Sequence, residues 1–183
     1  MKSNLKNLST IFVLFIFSIF GSKLFANDVI VDAEVVEIKE KGNLIYASGN
    51  VRVLDGSSIK IIGNEATYNK LNQEIEIIGN VNFFDNLKKF KSRSDKIIFE
   101  RDKGFLSTFG NVKIEDQLNN YEITSEKIIY DKKNGILKSF DETQIYYNNK
   151  YNIVSSDISF NNNRKIFSST KNTSIQDEFN NKF

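Results

Sequence analysis

The 183 residues carry 25 basic and 23 acidic side chains, with no His, Cys, Pro or Trp. Lacking His and Cys, the chain has no Ser-His-Asp or Cys-His nucleophile pair, no zinc site of the usual N/S ligands and no disulfide. A charge this close to zero offers no concentrated basic face to nucleic acid.

In chain order, the first element is a leader. Lys2 and Lys6 precede an apolar run over residues 11–20, broken only by Ser18, and Leu24-Phe25-Ala26 ends in a small residue. A membrane-spanning helix needs about 20 apolar residues, and this run is half that. The pattern predicts a cleavable signal peptide over residues 1–26, with an uncleaved anchor as the alternative. Cleavage removes Lys2, Lys6 and Lys23, which takes the 25 basic residues to 22 against 23 acidic ones. The remaining chain is long enough for one domain, expected over 27–177 with a short tail at 178–183.

Internal repetition dominates the rest. Gly49-Asn50-Val51-Arg52-Val53 returns as Gly79-Asn80-Val81-Asn82-Phe83 and as Gly110-Asn111-Val112-Lys113-Ile114, at spacings of 30 and 31 residues. Weaker copies begin at Glu142 and Asn172. Within each unit a polar residue opens a short segment ending in an aromatic: Glu65 to Tyr68, Asp95 to Phe99, Glu126 to Tyr130, Asp157 to Phe160. A cluster rich in Asn, Asp, Lys or Gly follows every time, such as Asp131-Lys132-Lys133-Asn134-Gly135, and reads as a turn. Between turns Ile, Val, Tyr and Phe alternate with polar residues, the period of strands with one buried face. The chain is therefore expected to be all-β, with about four short strands per unit. A parallel β-solenoid and an antiparallel sheet folded over on itself both fit. Turns of two to five residues favour the antiparallel form.

Val51, Val53, Tyr68, Ile75, Ile77, Val81, Phe83, Phe99, Phe109, Val112, Ile114, Tyr130, Ile145 and Phe160 fall on the apparent inward face. Periodicity alone favours a closed core over an apolar groove. Lys88, Lys89, Lys91, Arg93, Lys132 and Lys133 fall near turns, where they can pair with phosphates or simply meet water. Asp95, Glu126 and Asp157 recur at one phase. They are expected to start strands on the solvated face, although paired carboxylates of a carbohydrate-active solenoid enzyme have the same signature.

Ala47-Ser48-Gly49-Asn50-Val51, Glu65-Ala66-Thr67-Tyr68 and Ile78-Gly79-Asn80-Val81, with the opening Asp32-Ala33-Glu34-Val35-Val36, resemble the OstA-like domain. That family includes periplasmic lipopolysaccharide-transport proteins of the LptA type and the N-terminal part of the outer-membrane assembly protein LptD. The resemblance spans about residues 28–177. It implies an antiparallel repeat sheet folded as a twisted β-jellyroll, whose inward face (the fourteen residues above) holds lipopolysaccharide acyl chains. It further implies a non-enzymatic transport module of the Gram-negative periplasm, associated with the outer membrane and needing neither cofactor nor metal. Partners would be other lipopolysaccharide-transport proteins, or further copies of this chain head to tail, joined by edge-strand pairing near Val29–Val36 and Thr173–Ile175. An intact LptD continues into a membrane barrel and this sequence ends at Phe183, so the expectation is a stand-alone bridge protein or an abbreviated LptD-like frame. Outside the resemblance, the alternatives are a structural β-repeat module without lipid and the solenoid enzyme.

Overall fold

Most of the long alternating segments pair with their sequence neighbours, as their short turns require. In the computed structural model, which describes residues 29–183, fourteen strands make one sheet. The leader and its cleavage point lie outside the described residues. The strands are β1 (Val29–Asp32), β2 (Val35–Lys39), β3 (Leu44–Asp55), β4 (Ile59–Asn69), β5 (Glu74–Asp85), β6 (Phe90–Glu100), β7 (Phe105–Asp116) and β8 (Tyr121–Asp131). Shorter ones follow: β9 (Ile136–Ser139), β10 (Thr143–Tyr147), β11 (Tyr151–Ser155), β12 (Ile158–Asn161), β13 (Ile166–Ser168) and β14 (Thr173–Gln176). From β3 to β8 each strand pairs antiparallel with the next. A single 3-10 turn, Glu40–Gly42, is the one helical element among the described residues. No described helix is long and apolar enough to cross a membrane.

The expected four short strands per unit are in fact two long ones, each creased at its centre. The crease falls on the Gly-Asn repeats, where the register shifts between Ser48 and Val51, Ile78 and Val81, and Phe109 and Val112. Gly49, Gly79 and Gly110 have φ of 78°, 84° and 71°, and Asn50, Asn80 and Asn111 follow at 48–49°. Two successive left-handed residues bend a strand as a bulge, and Gly followed by Asn tolerates that best. A second requirement fixes the Gly at 110, since a Cβ there would collide with the Asp95 carboxylate. Asp95 instead accepts a 2.9 Å bond from the Asn111 side-chain amide. Glu34 takes the equivalent bond from Asn50. In the fourth unit Asp141-Glu142 replaces Gly-Asn, and the strand breaks there into β9 and β10.

The creases fold the sheet lengthwise, so its two halves face each other. One half runs β2, the first part of β3, the second part of β4, and so on to β9, β12 and β13. The other runs from β1 through the complementary parts to β10, β11 and β14. The expectation of an all-β, antiparallel, folded-over sheet is met. Rings from the two halves meet between them: Phe83 and Phe99 lie 6.1 Å apart, Phe90 stacks on Tyr130 at 5.0 Å, and Tyr121 meets Phe160 at 4.9 Å. Ile61, Ile75, Ile97, Ile114, Ile123 and Leu137 are fully buried there. Edge pairs and diagonal ring contacts of this kind add to the burial itself.

Candidate functional site

Of the fourteen inward residues expected from alternation, thirteen are buried between the halves: Val51, Val53, Ile75, Ile77, Val81, Phe83, Val112, Ile114, Ile145 and Phe160 almost wholly, and Tyr68, Phe99 and Tyr130 nearly so. They align across the strands. Tyr68, Ile75, Phe99, Leu106, Tyr130, Leu137 and Phe160 form one apolar row through successive cross-strand pairs. Ile61, Phe83, Ser92, Ile114, Ile123 and Ile145 form its counterpart in the other half. Ser92 is the polar exception, and its hydroxyl is buried without a hydrogen-bond partner.

Phe109 is the correction. It lies on the outer face, paired with Lys96 and Lys127, while its neighbour Thr108 turns inward. The Lys127 ammonium sits 5.4 Å from the Phe109 ring centroid. The lysine stem covers an outward aromatic, so hydrophobicity misstates its face.

The interior has one closed side, the crease, and one side that the chain must close by other means. That second side is a mouth lined by two sets of turns, and paired polar residues cross it. Asp55, Asp85 and Asp116 end β3, β5 and β7 facing inward. Arg101 donates from Nη2 to Asp55 at 2.7 Å and from Nη1 to the Tyr68 hydroxyl at 3.1 Å. Its guanidinium pKa is raised first by that bond to Asp55, against the opposing effect of burial. One unit on, Lys132 Nζ donates to Asp85 at 2.8 Å and lies over the Phe83 and Phe99 rings. At the third position Asn162 replaces the cation. Asp116 there accepts bonds from the Asn119 backbone and side-chain amides at 2.9 and 2.6 Å. The Asn162 amide donates to Tyr130 at 3.4 Å, and burial pushes the Tyr121 and Tyr130 phenols upward. Buried ion pairs are strong only when both partners stay in place. The mouth is thus latched, most firmly at the first two positions.

Sequence reasoning did not find these latches, though a signal exists. Asp55, Asp85 and Asp116 each stand six places after the repeat glycine, and Arg101, Lys132 and Asn162 two places after a buried aromatic.

At the N-terminal edge the same inward rows come to the surface. Ile38 pairs with Ile45, and Val36 with Ala47, so both point inward. Yet Ile38 is 66% and Val36 44% exposed, because no further strand among the described residues covers them. Among the described residues the interior is packed along its middle and uncovered at this end.

Among solved structures the chain is similar to LptH of Pseudomonas aeruginosa, described as the LptA-homologous periplasmic component of the lipopolysaccharide transport device. The identity is 14% and the TM-score 0.33, over 78% of this chain and 82% of that one. No protein-family model matches this chain, and no curated protein does.

The recurring acids belong to the crease. Asp95 brackets Asn111, as described above. Asp157 accepts bonds from the Ser169 and Thr170 hydroxyls at 2.6 and 2.5 Å and from the Thr170 and Lys171 backbone amides, which hold its carboxyl down at about 2. Glu126 lines an open outer cleft with Glu142, Thr124 and Gln144. Among the described residues no group of three or more potential ligands is placed to hold a metal ion.

Proposed function

We propose that this chain carries the acyl chains of lipopolysaccharide between its two sheet halves, as one member of a periplasmic relay to the outer membrane. The observation that carries the reading is the open N-terminal end, where Ile38 and Val36 leave the continuous apolar rows exposed to a ligand or a neighbouring subunit. The OstA-like motifs supply the identity of the lipid. The reading assigns the chain no catalytic step. Removal of residues 1–26 on export would deliver it to the periplasm. Transfer of each acyl CH₂ from water is worth about 0.8 kcal/mol, so roughly ten methylenes offset about 8 kcal/mol of latch breaking and repacking. The edge strands β1, β2, β13 and β14 are the joints to other transport proteins or to further copies, in heterologous contacts that do not close.

A specific observation favours a second reading, a closed structural module. The rings of Phe83 and Phe99, and of Phe90 and Tyr130, already touch across the interior. Photo-crosslinking separates the two. Crosslinkers at Ile38, Phe83 and Ile114 should capture lipopolysaccharide, while those at outward Asn82 and Lys113 should not, because adjacent strand residues face opposite ways. Equal failure at inward and outward positions in a protein that is folded by circular dichroism would leave the closed module standing.

A further inference from the structure

The second latch pairs one lysine with its carboxylate and has a second lysine beside it. Lys132 and Asp85 are 2.8 Å apart, with side chains 15% and 5% exposed. Lys88 comes from the turn after Asp85. Its backbone amide donates to Asp85 at 3.2 Å, and its ammonium donates to the Lys132 carbonyl at 3.1 Å and lies 5.9 Å from the Tyr130 ring. Among the described residues, Asp85 is the one carboxylate within ion-pair distance of either ammonium. Below them lie Phe83 and Phe99, whose ring centroids are 5.7 and 5.5 Å from the Lys132 ammonium. Lys132 is half-buried where the mouth meets the apolar interior and Lys88 stands exposed beside it, while Asp116 and Asp131 lie farther out, near enough to raise the Tyr130 phenol.

We propose that Lys132 and Lys88 form a binding site for the phosphomonoester head group of an amphiphile, and that Asp85 holds the place of the phosphate when the site is empty. The inference rests on the lipid-carrying reading and adds a head-group contact to it. A phosphomonoester carries a charge of about −1.5 to −2 at pH 7 and three acceptor oxygens, which match two ammonium groups better than one carboxylate does. Lysine serves phosphate as a compact point charge with no demand for planar pairing. The aromatic floor gives the attached chain a direct path inward. The first latch is less suited, because Arg101 is already bound by Asp55, Tyr68 and Gln73. The third has no cation.

Calorimetric titration of the purified chain with dodecyl phosphate, dodecyl maltoside and inorganic phosphate, each below its micellar range where it has one, tests the site. Dodecyl phosphate should bind about tenfold more tightly than dodecyl maltoside, the worth of one charge-assisted contact. Lys132→Gln should remove that advantage, while Lys132→Arg retains most of it. Asp85→Asn removes the internal competitor and should raise dodecyl phosphate affinity several-fold. Lys88→Gln gives the same direction as Lys132→Gln without touching an ion pair, so the test survives if the latch variant unfolds. Dodecyl phosphate affinity unchanged in Lys88→Gln, or lowered in Asp85→Asn, overturns the site. Inorganic phosphate binding as tightly as dodecyl phosphate overturns the amphiphile assignment. If maltoside binds and phosphate adds nothing, the head-group site falls and the carrier reading stays. If neither amphiphile binds, both fall.

Discussion

Arg101 and Asp55 are 46 positions apart in sequence and 2.7 Å apart in space, and they tie one half of the folded sheet to the other across its mouth. Removing one partner of such a pair leaves the other buried without compensation. Arg101→Met should cost about 3 kcal/mol of unfolding free energy in urea. The double variant Arg101→Met, Asp55→Leu should recover most of it. A single-variant cost near 0.5 kcal/mol, the size of an exposed pair, would mean that the mouth is not latched there.

The crease makes a separate demand. Gly110→Ala places a side chain on a residue at φ 71° and drives it into the Asp95 carboxylate. The left-handed conformation alone costs about 1–2 kcal/mol, so the thermal midpoint should fall by several degrees. Adding Asp95→Ala should restore part of the loss, since it removes the collision and keeps the backbone strain. Full restoration would contradict the conformational role given to the glycine.

Much of this was legible in the residues. The Gly-Asn repeats, the turn clusters and the period of two were enough to expect an antiparallel, folded sheet with most of its inward face. Phe109 reads as inward by its bulk and outward by its phase. Counting by twos from Val112 reaches Gly110, Thr108 and Leu106, never Phe109. The crease was hidden because a Gly-Asn bulge inside a strand has the composition of a turn between strands. The latches were hidden for another reason. Alternation reports which face a residue takes, not which residue of the opposite half it meets, and that pairing depends on how far the sheet folds over. The Lys88–Lys132 association is of this kind, with 44 positions between donor and acceptor.

Asp157 gives the corner before β12 a pH signature. Its carboxyl falls from the ordinary 3.8 to about 2 in the folded chain, first through the Ser169 and Thr170 hydroxyls. A folded value below the unfolded one stabilises above the unfolded value and is lost as pH falls through the folded one. The difference in thermal midpoint between the native chain and Asp157→Asn should be constant above the ordinary carboxylate range. It should then shrink as the pH drops through 3.8 toward 2. A difference that persists unchanged to the acid end would show that these bonds do not depend on the charge.

The last strand is not a bare edge. Beyond β14 the chain turns back, Lys182 bridges to Gln176, and the Phe183 amide donates to the Ile175 carbonyl at 2.9 Å. An uncovered edge is a template for further pairing. Removing residues 177–183 should therefore increase concentration-dependent association, measured by light scattering after size exclusion. A truncated chain that stays monomeric wherever the longer one does would argue against β14 as a joint.

The proposed carrier role requires lipid to part the two halves at the latched mouth and lie between them. The chain has no native cysteine, so paired spin labels are straightforward to place. Leu87, exposed on the turn after Asp85, and Lys133, exposed on the turn that carries Lys132, stand on opposite sides of the mouth. Pulsed electron–electron resonance between Leu87→Cys and Lys133→Cys labels should show the distance distribution shift to longer values when lipopolysaccharide is added. Labels on one half, at Leu87 and Leu118, should not move. A Leu87–Lys133 distance that is unchanged while lipid is demonstrably bound would contradict the account and place the lipid outside the fold.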